Sequence, residues 1–232
     1  MCEGGMDVAV LYSGGKDSNL AAYRAMQGGH VVRCLVTVIP QSAESYMFHY
    51  PNAGHTALQA GAMGLPLLTK RTAGSKEEEL EDLKEALVEA KIQHGIEGVF
   101  IGAIASNYQR SRVEKICCAT DLECFSPLWK EDPESLLRET VRLGFATIIT
   151  GVSAEGLDES WLGRQIDLKA VEELKELNLK YRVNIVFEGG EAETFVLDGP
   201  LFSKRIEIVE SQKTWKHGRG SLEILKARLV EK

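Results

Sequence analysis

Six adjacent positions, Ser13-Gly14-Gly15-Lys16-Asp17-Ser18, hold two glycines, a cation, a carboxylate and two hydroxyls directly after the apolar run Asp7–Tyr12. Glycine reaches positive φ without steric cost, so consecutive backbone N–H groups can converge on one anion. A helical pattern follows (Leu20, Ala21, Tyr23, Ala25), so the positive end of a helix points at the same place. Lys16 adds a full charge, and Ser13 and Ser18 add hydroxyl donors. Asp17 is a poor neighbour for a bare phosphate but a good one for a magnesium ion or its water shell. The plainer alternative is a strand-to-helix turn in which Asp or Ser caps the helix. A Walker A loop needs four residues between Gly and Gly-Lys, and this spacing lacks them.

Two further stretches carry chemistry. In Glu188-Gly189-Gly190-Glu191-Ala192-Glu193-Thr194 three carboxylates crowd a Gly-Gly turn. Their mutual repulsion would be relieved by a cationic ligand, a metal or ordered backbone donors; solvent exposure of an ordinary hairpin turn would serve as well. In Gly102–Glu114 (GAIASNYQRSRVE) a small-residue strand end runs into a Ser- or Asn-capped helix carrying Arg110, Arg112 and Glu114. Taken alone, that helix reads more simply as a solvated surface with ion pairs, although Gly102 and Ala103 are small enough for a nucleotide to pass closely.

The rest of the inventory excludes more than it offers. The five cysteines (Cys2, Cys34, Cys117, Cys118, Cys124) form no C-x-x-C pair, and the five histidines show no zinc spacing with them. Net charge is −7, which disfavours nucleic acid as a partner. Apolar runs are strand-sized, too short for a bilayer, and Met1–Met6 lacks a signal pattern, so a cytoplasmic protein is expected. With 232 residues the chain can bury roughly 70–75% of its unfolded surface.

Positioning these groups requires a regular alternation. Strands are expected at Asp7–Tyr12, His30–Ile39, Leu65–Lys70, Val99–Ile104 and Glu123–Trp129, and helices after Ser18 and over Ala57–Met63, Lys76–His94 and Ser106–Ala119. The pattern implies a doubly wound parallel five-stranded α/β sheet, Rossmann-like, covered on both faces. Gln41–Ala53 is polar and aromatic and reads as a long functional loop.

After Trp129 the rhythm changes. A helix opens at Asp132-Pro133-Glu134, followed by a strand over Ala146–Val152 and a helix over Asp167–Tyr181. Short strands at Asn184–Glu188 and Thr194–Leu197 then flank the Gly-Gly turn, and Arg205–Trp215 and Ser221–Leu229 flank a hairpin turn at His217–Gly220. A boundary near Lys130 divides residues 1–130 from a smaller α+β domain, 131–232.

The S-G-G-K-D-S loop resembles the PP-loop of the adenine-nucleotide α-hydrolase superfamily, a HUP-type fold, over roughly residues 7–129. The resemblance implies that Ser13–Ser18 hold the β and γ phosphates of ATP, leaving the α-phosphorus open to attack. Lys16, Asp17 and Ser18 would serve catalysis and Asp17 a Mg2+ ion. It also implies adenine against the second and fourth strand ends, Val36, Thr37, Val38 and Gly102, Ala103, Ile104. Together with GAI…NYQRSRVE, Pro127-Leu128-Trp129 and EGGEAET, the loop resembles the diphthine–ammonia ligase family over nearly the whole chain.

That family implies conversion of the diphthine carboxylate on translation elongation factor 2 to an amide, with ATP and ammonium consumed and AMP and pyrophosphate released. Diphthine carries a quaternary ammonium, which gives the acidic turn a purpose. Tyr46, His49, Tyr108, Gln109, Arg112, Glu188, Gly189, Gly190, Glu191, Glu193 and Thr194 are the implied substrate contacts. The chain ends soon after the hairpin, like stand-alone archaeal members, and without a glutaminase domain free ammonium is the expected nitrogen source. A homo-oligomer is left open. The competing readings are a PP-loop tRNA sulfur transferase, for which Cys117-Cys118 has the wrong spacing, and a non-catalytic ATP sensor.

Overall fold

The computed structural model of the protein describes residues 4–40, 52–73 and 76–232. Strand β1 (Asp7–Leu11) is the middle of a five-stranded sheet, and its central residues Val8, Ala9 and Val10 are fully buried. Helix α1 (Lys16–Gln27) starts from an extended Gly15 and stops at Gly28, whose N–H bonds to the Arg24 carbonyl. Strand β2 (Val31–Pro40) follows, then a short 3-10 turn (Asn52–His55), α2 (Thr56–Met63) and β3 (Leu67–Thr72). Helix α3 (Lys76–His94), β4 (Gly98–Phe100), α4 (Asn107–Ala119) and β5 (Glu123–Phe125) complete this half.

All four pairings are parallel and the order is β3-β2-β1-β4-β5. The chain therefore winds outward from β1 through β2 and β3, then returns to add β4 on the other side. Ligands in open α/β sheets bind where the winding direction reverses, beyond the strand carboxyl ends. Here that point lies between the loops following β1 and β4, which are Ser13–Ser18 and Ile101–Ser106.

The second half contains α5 (Pro133–Arg142), β6 (Ala146–Val152), α6 (Leu168–Tyr181), β7 (Ala192–Asp198), β8 (Arg205–Lys216) and β9 (Arg219–Val230). Asp132 and Asp167 cap α5 and α6 by accepting from Ser135 N–H at 2.8 Å and Ala170 N–H at 2.7 Å. The four strands form an antiparallel sheet in the order β7-β6-β9-β8. Its β8–β9 hairpin turns on only two residues, His217 and Gly218, both at positive φ (52° and 74°), which is type I′ chemistry. The expected four-residue turn is thus shorter, because Lys216 and Arg219 still pair across it.

The two sheets share a core. Leu20 of α1, Ala62 of α2, Ile104 and Leu128 belong to the same buried cluster as Leu136, Ile149 and Phe195. Arg24 adds a polar tie: its guanidinium bonds Glu131, Glu139 (2.5 Å) and the Pro127 carbonyl (2.8 Å).

Three expectations need revision. Asn184–Glu188 is a turn, not a strand: the Asn184 side chain accepts from Val186 N–H at 3.1 Å and its carbonyl from Phe187 N–H at 2.9 Å. Local side-chain bonding of this kind competes with strand pairing. The fourth and fifth strands are shorter than their apolar runs suggest. The residues after Phe100 and Phe125 stay buried or half-buried but serve as site walls and interface instead of sheet. Of the expected functional loop, residues 41–51 lie outside the described residues, while Asn52 and Ala53 form the 3-10 turn.

Candidate active site

The phosphate-loop geometry follows from its glycines. Gly14 sits at φ +82°, and a Cβ there would stand 2.4 Å from the Gln59 amide oxygen. Only glycine satisfies both conditions. The Gly14 carbonyl accepts from Gln59 Nε2 at 2.8 Å and from Val196 N–H of β7 at 3.0 Å. Asn19 Nδ2 reaches the Gly15 carbonyl at 2.9 Å, and the Tyr12 hydroxyl donates to Asn19 Oδ1 at 2.9 Å. Burial pushes the Tyr12 phenol well above its ordinary pKa, so it remains a neutral donor. The loop carbonyls are thereby tied backward into the protein. The N–H groups of Asp17 and Ser18, in the first turn of α1, have no intrahelical acceptor, and both residues line the larger cavity.

Lys16 is 3% exposed, and its ammonium donates to Asp17 Oδ2 at 2.8 Å and to the Val186 carbonyl at 2.6 Å. It also stands 5.3 Å from the centre of the Phe187 ring, within cation–π range. Lys16 N–H donates to Thr194 Oγ1 at 3.2 Å. The first turn of α1 is therefore completed by residues from the second half of the chain.

Two adjoining cavities open here. One of about 310 Å³ is lined by Ser13, Asp17, Ser18, Thr37, Val38, Gly102, Ala103, Gln109, Phe187, Glu188 and Gly190, with Leu11, Tyr12, Ala53, Ile101 and Val113. A smaller one of about 60 Å³ is lined by Ser13, Gly15, Lys16, Asp17, Glu193 and Thr194, with Asn52, Ala53, Thr150, Val186, Phe187, Ala192 and Phe195. Ser13, Asp17, Ala53 and Phe187 border both. Thr37 is held in place by donating to the Tyr12 carbonyl at 2.7 Å. Gly102 packs against the start of α1, where a Cβ would come within 2.8–2.9 Å of the Asp17–Ser18 backbone.

Other expected residues stand behind the cavity walls. Val36 is fully buried, and Ile104 is buried with its N–H donating to Glu188 Oε1 at 2.9 Å. Arg112 stacks on the Tyr108 ring at 3.4 Å and bonds the Tyr108 carbonyl at 3.2 Å. The Glu191 carboxylate accepts from Asn184 N–H at 3.2 Å and Gly189 N–H at 2.9 Å, so ordered backbone donors relieve the crowding of charge. Tyr46 and His49 lie outside the described residues. Sequence reasoning missed Gln59, Asn19, Val186 and Phe187. Asn19 follows the loop motif directly, but α2 offered no signal for Gln59.

The donor set fits a nucleotide. Convergent N–H groups, an ammonium and hydroxyls suit a phosphate chain, and apolar strand ends beside Thr37 and Ala103 suit a base. Among the described residues no three His, Cys, Asp or Glu side chains gather as a metal cluster. Asp17 offers a carboxylate within the loop itself, which fits magnesium, usually held by one or two carboxylates plus substrate phosphates.

The models of the diphthamide synthase N-terminal and C-terminal domains match residues 6–123 and 132–230. The chain belongs to the diphthamide synthase family. Diphthine–ammonia ligases of mouse and human are each 39% identical to it, over 231 and 233 residues, covering 91% of this chain and 86% of the relative. The fission yeast ligase is 34% identical over 98% of this chain but only 40% of its own length. No helix among the described residues is long and apolar enough to cross a membrane.

Proposed function

We propose that this chain is an ATP-dependent diphthine–ammonia ligase, forming diphthamide on translation elongation factor 2 with release of AMP and pyrophosphate. The observation that carries this reading is the junction at Lys16 and Thr194, where a phosphate loop and a carboxylate-bearing turn line one small cavity. Charge from the leaving pyrophosphate would develop beside Lys16 and the α1 N-terminus, where preorganised donors act most strongly. Glu188 and Glu193 face the cavities from the opposite side and suit a fixed cation. The protein substrate's carboxylate, carried next to that cation, would meet the α-phosphorus between them.

In chemical terms, a carboxylate oxygen attacks the α-phosphorus and the bond to the β-phosphate bridging oxygen breaks. Ammonia, formed from ammonium by loss of a proton, then attacks the acyl carbon, and AMP departs with the acyl–oxygen electron pair. Magnesium, held by Asp17 and phosphate oxygens, would neutralise the leaving charge. Lys16, Asp17 and Ser18 orient the phosphates. Thr37, Val38, Gly102 and Ala103 line the base side, and Gln109, Gly190 and Thr194 the substrate side. Residues 1–130 act as the nucleotide-binding unit and 131–232 as the substrate unit, in a cytoplasmic enzyme that acts on protein instead of nucleic acid.

A sulfur transferase would need an accessible thiol at this cavity. Cys117 and Cys118 sit near the far end of α4, about 15 Å along the helix from its first turn. Donation of its S–H to the Cys124 sulfur, together with burial, holds the Cys117 thiol far above its ordinary pKa, which leaves it a poor nucleophile. Incubation with diphthine-bearing elongation factor 2, ATP, magnesium and ammonium should yield amide and AMP only when all are present, with pyrophosphate release requiring the factor, ATP and magnesium. Thiolated RNA would support the transferase instead, and unchanged ATP a sensor.

A further inference from the structure

Phe187 is a bulky residue at φ +66°, a backbone region that disfavours any side chain larger than glycine. It is also 6% exposed and forms part of the wall of both cavities. Strain of this kind persists only where the surroundings over-determine it. Asn184 supplies two of the restraints, through Val186 N–H to its side chain at 3.1 Å and Phe187 N–H to its carbonyl at 2.9 Å. The Phe187 carbonyl in turn accepts from Gly190 N–H at 3.1 Å. The consequence is local and specific. The turn carries the Val186 carbonyl to 2.6 Å from the Lys16 ammonium and the Phe187 ring to 5.3 Å from it.

A buried ammonium needs acceptors, and among the described residues Lys16 has only Asp17 besides this turn as a hydrogen-bond partner. Asp17 is its sequence neighbour on the same helix turn, so it cannot fix the lysine relative to the second half of the chain. The Val186–Phe187 step can. We propose that Phe187 is a positioning residue: its strained backbone and its ring together set where the Lys16 ammonium stands. This rests on the reading of Lys16 as the phosphate-loop lysine of an ATP-consuming ligase.

The mechanism predicts an unequal effect on kinetic constants. If Lys16 meets charge that develops as pyrophosphate leaves, misplacing it lowers kcat more than it raises KM for ATP. Glycine adopts φ +66° without strain, so Phe187→Gly separates the ring from the backbone penalty. We expect Phe187→Gly and Phe187→Ala to lower kcat for pyrophosphate release about tenfold or more, with KM for ATP changed less than about threefold. Phe187→Tyr, which keeps the ring, should restore most of the rate. Phe187→Gly relieves the backbone strain but loses a buried ring, so it should melt below wild type, whereas Phe187→Tyr should melt close to it.

The assay uses the full chain with ATP, magnesium, ammonium and diphthine-bearing elongation factor 2. A second readout needs no turnover: acylation of Lys16 by an amine-reactive ester, followed by peptide mass spectrometry. Lys16 should react several-fold faster in Phe187→Gly than in wild type, because its ring cover is gone. Wild-type failure to release pyrophosphate would refute the ligase reading while leaving the labelling test of Phe187 intact. Wild-type kcat in Phe187→Gly, loss that tracks melting temperature alone, or unchanged Lys16 labelling would each overturn the positioning role.

Discussion

The two glycine-rich turns that meet at the site solve opposite problems. In Ser13–Ser18 the Gly14 and Gly15 carbonyls are tied into the protein by Gln59, Asn19 and Val196, which leaves the first-turn N–H groups of Asp17 and Ser18 for a ligand. In Glu188–Thr194 two of the carboxylates instead accept backbone N–H groups: Glu191 from Gly189 and Asn184, and Glu188 from Ile104. One turn is built to receive negative charge; the other has part of its negative charge already spent on structure. Motif composition alone suggested three equivalent carboxylates, yet Glu191 is chiefly a brace while Glu188 and Glu193 border the cavities.

The largest effect that would break this contrast comes from the first turn. Lys16→Ala should lower pyrophosphate release a hundredfold or more, since loss of one donor to developing charge costs about 2.7–4 kcal/mol. Undiminished AMP formation in that variant would remove the loop from the chemistry.

The second turn should divide under mutation. Glu193→Gln should retain ATP affinity by calorimetry and lose amidation about tenfold or more, as expected for a group that meets the substrate cation in a partly desolvated site. Glu191→Ala should instead lower stability by about 1–3 kcal/mol, because two N–H groups lose their acceptor. Equal kinetic loss with unchanged melting in both variants would restore the equivalence that composition suggests.

The smallest effect concerns how the halves are held together. Arg24 draws the Glu131 carboxyl below its ordinary pKa through a charge-assisted hydrogen bond. A lowered folded-state pKa means the contribution is complete above the ordinary value and fades as pH falls through the lowered one. Glu131 is exposed and Arg24 only partly covered, so solvent screens the pair and the change is small. Thermal melts at neutral pH and below pH 4 should show Arg24→Met less acid-sensitive than wild type; equal acid sensitivity would discount the tie.

Much of this was legible in the sequence for physical reasons. Helix α3 has the expected bounds because Leu83 and Leu87 recur at helical spacing among strong helix formers and are fully buried, although Val88 and Ile92 of the same helix are exposed. Ser13–Ser18 was legible because glycine, lysine and hydroxyls in that order serve few other ends. Asn184–Glu188 misled because Val183, Ile185, Val186 and Phe187 are buried like strand residues while Asn184 bends the backbone into a turn. Gln59 and the Val186 carbonyl were out of reach, being joined to the loop by contacts across 45 and 170 residues.

The central claim is that ATP cleavage at the first turn activates a carboxylate presented at the second. High-resolution mass spectrometry of diphthine-bearing elongation factor 2, after incubation with this chain, ATP, magnesium and ammonium, tests it most directly. The account predicts a decrease of about one mass unit at the modified histidine, as oxygen is replaced by nitrogen, matched by AMP formation and absent with Lys16→Ala. An unchanged mass alongside AMP release, or a mass change that survives Lys16→Ala, would contradict it.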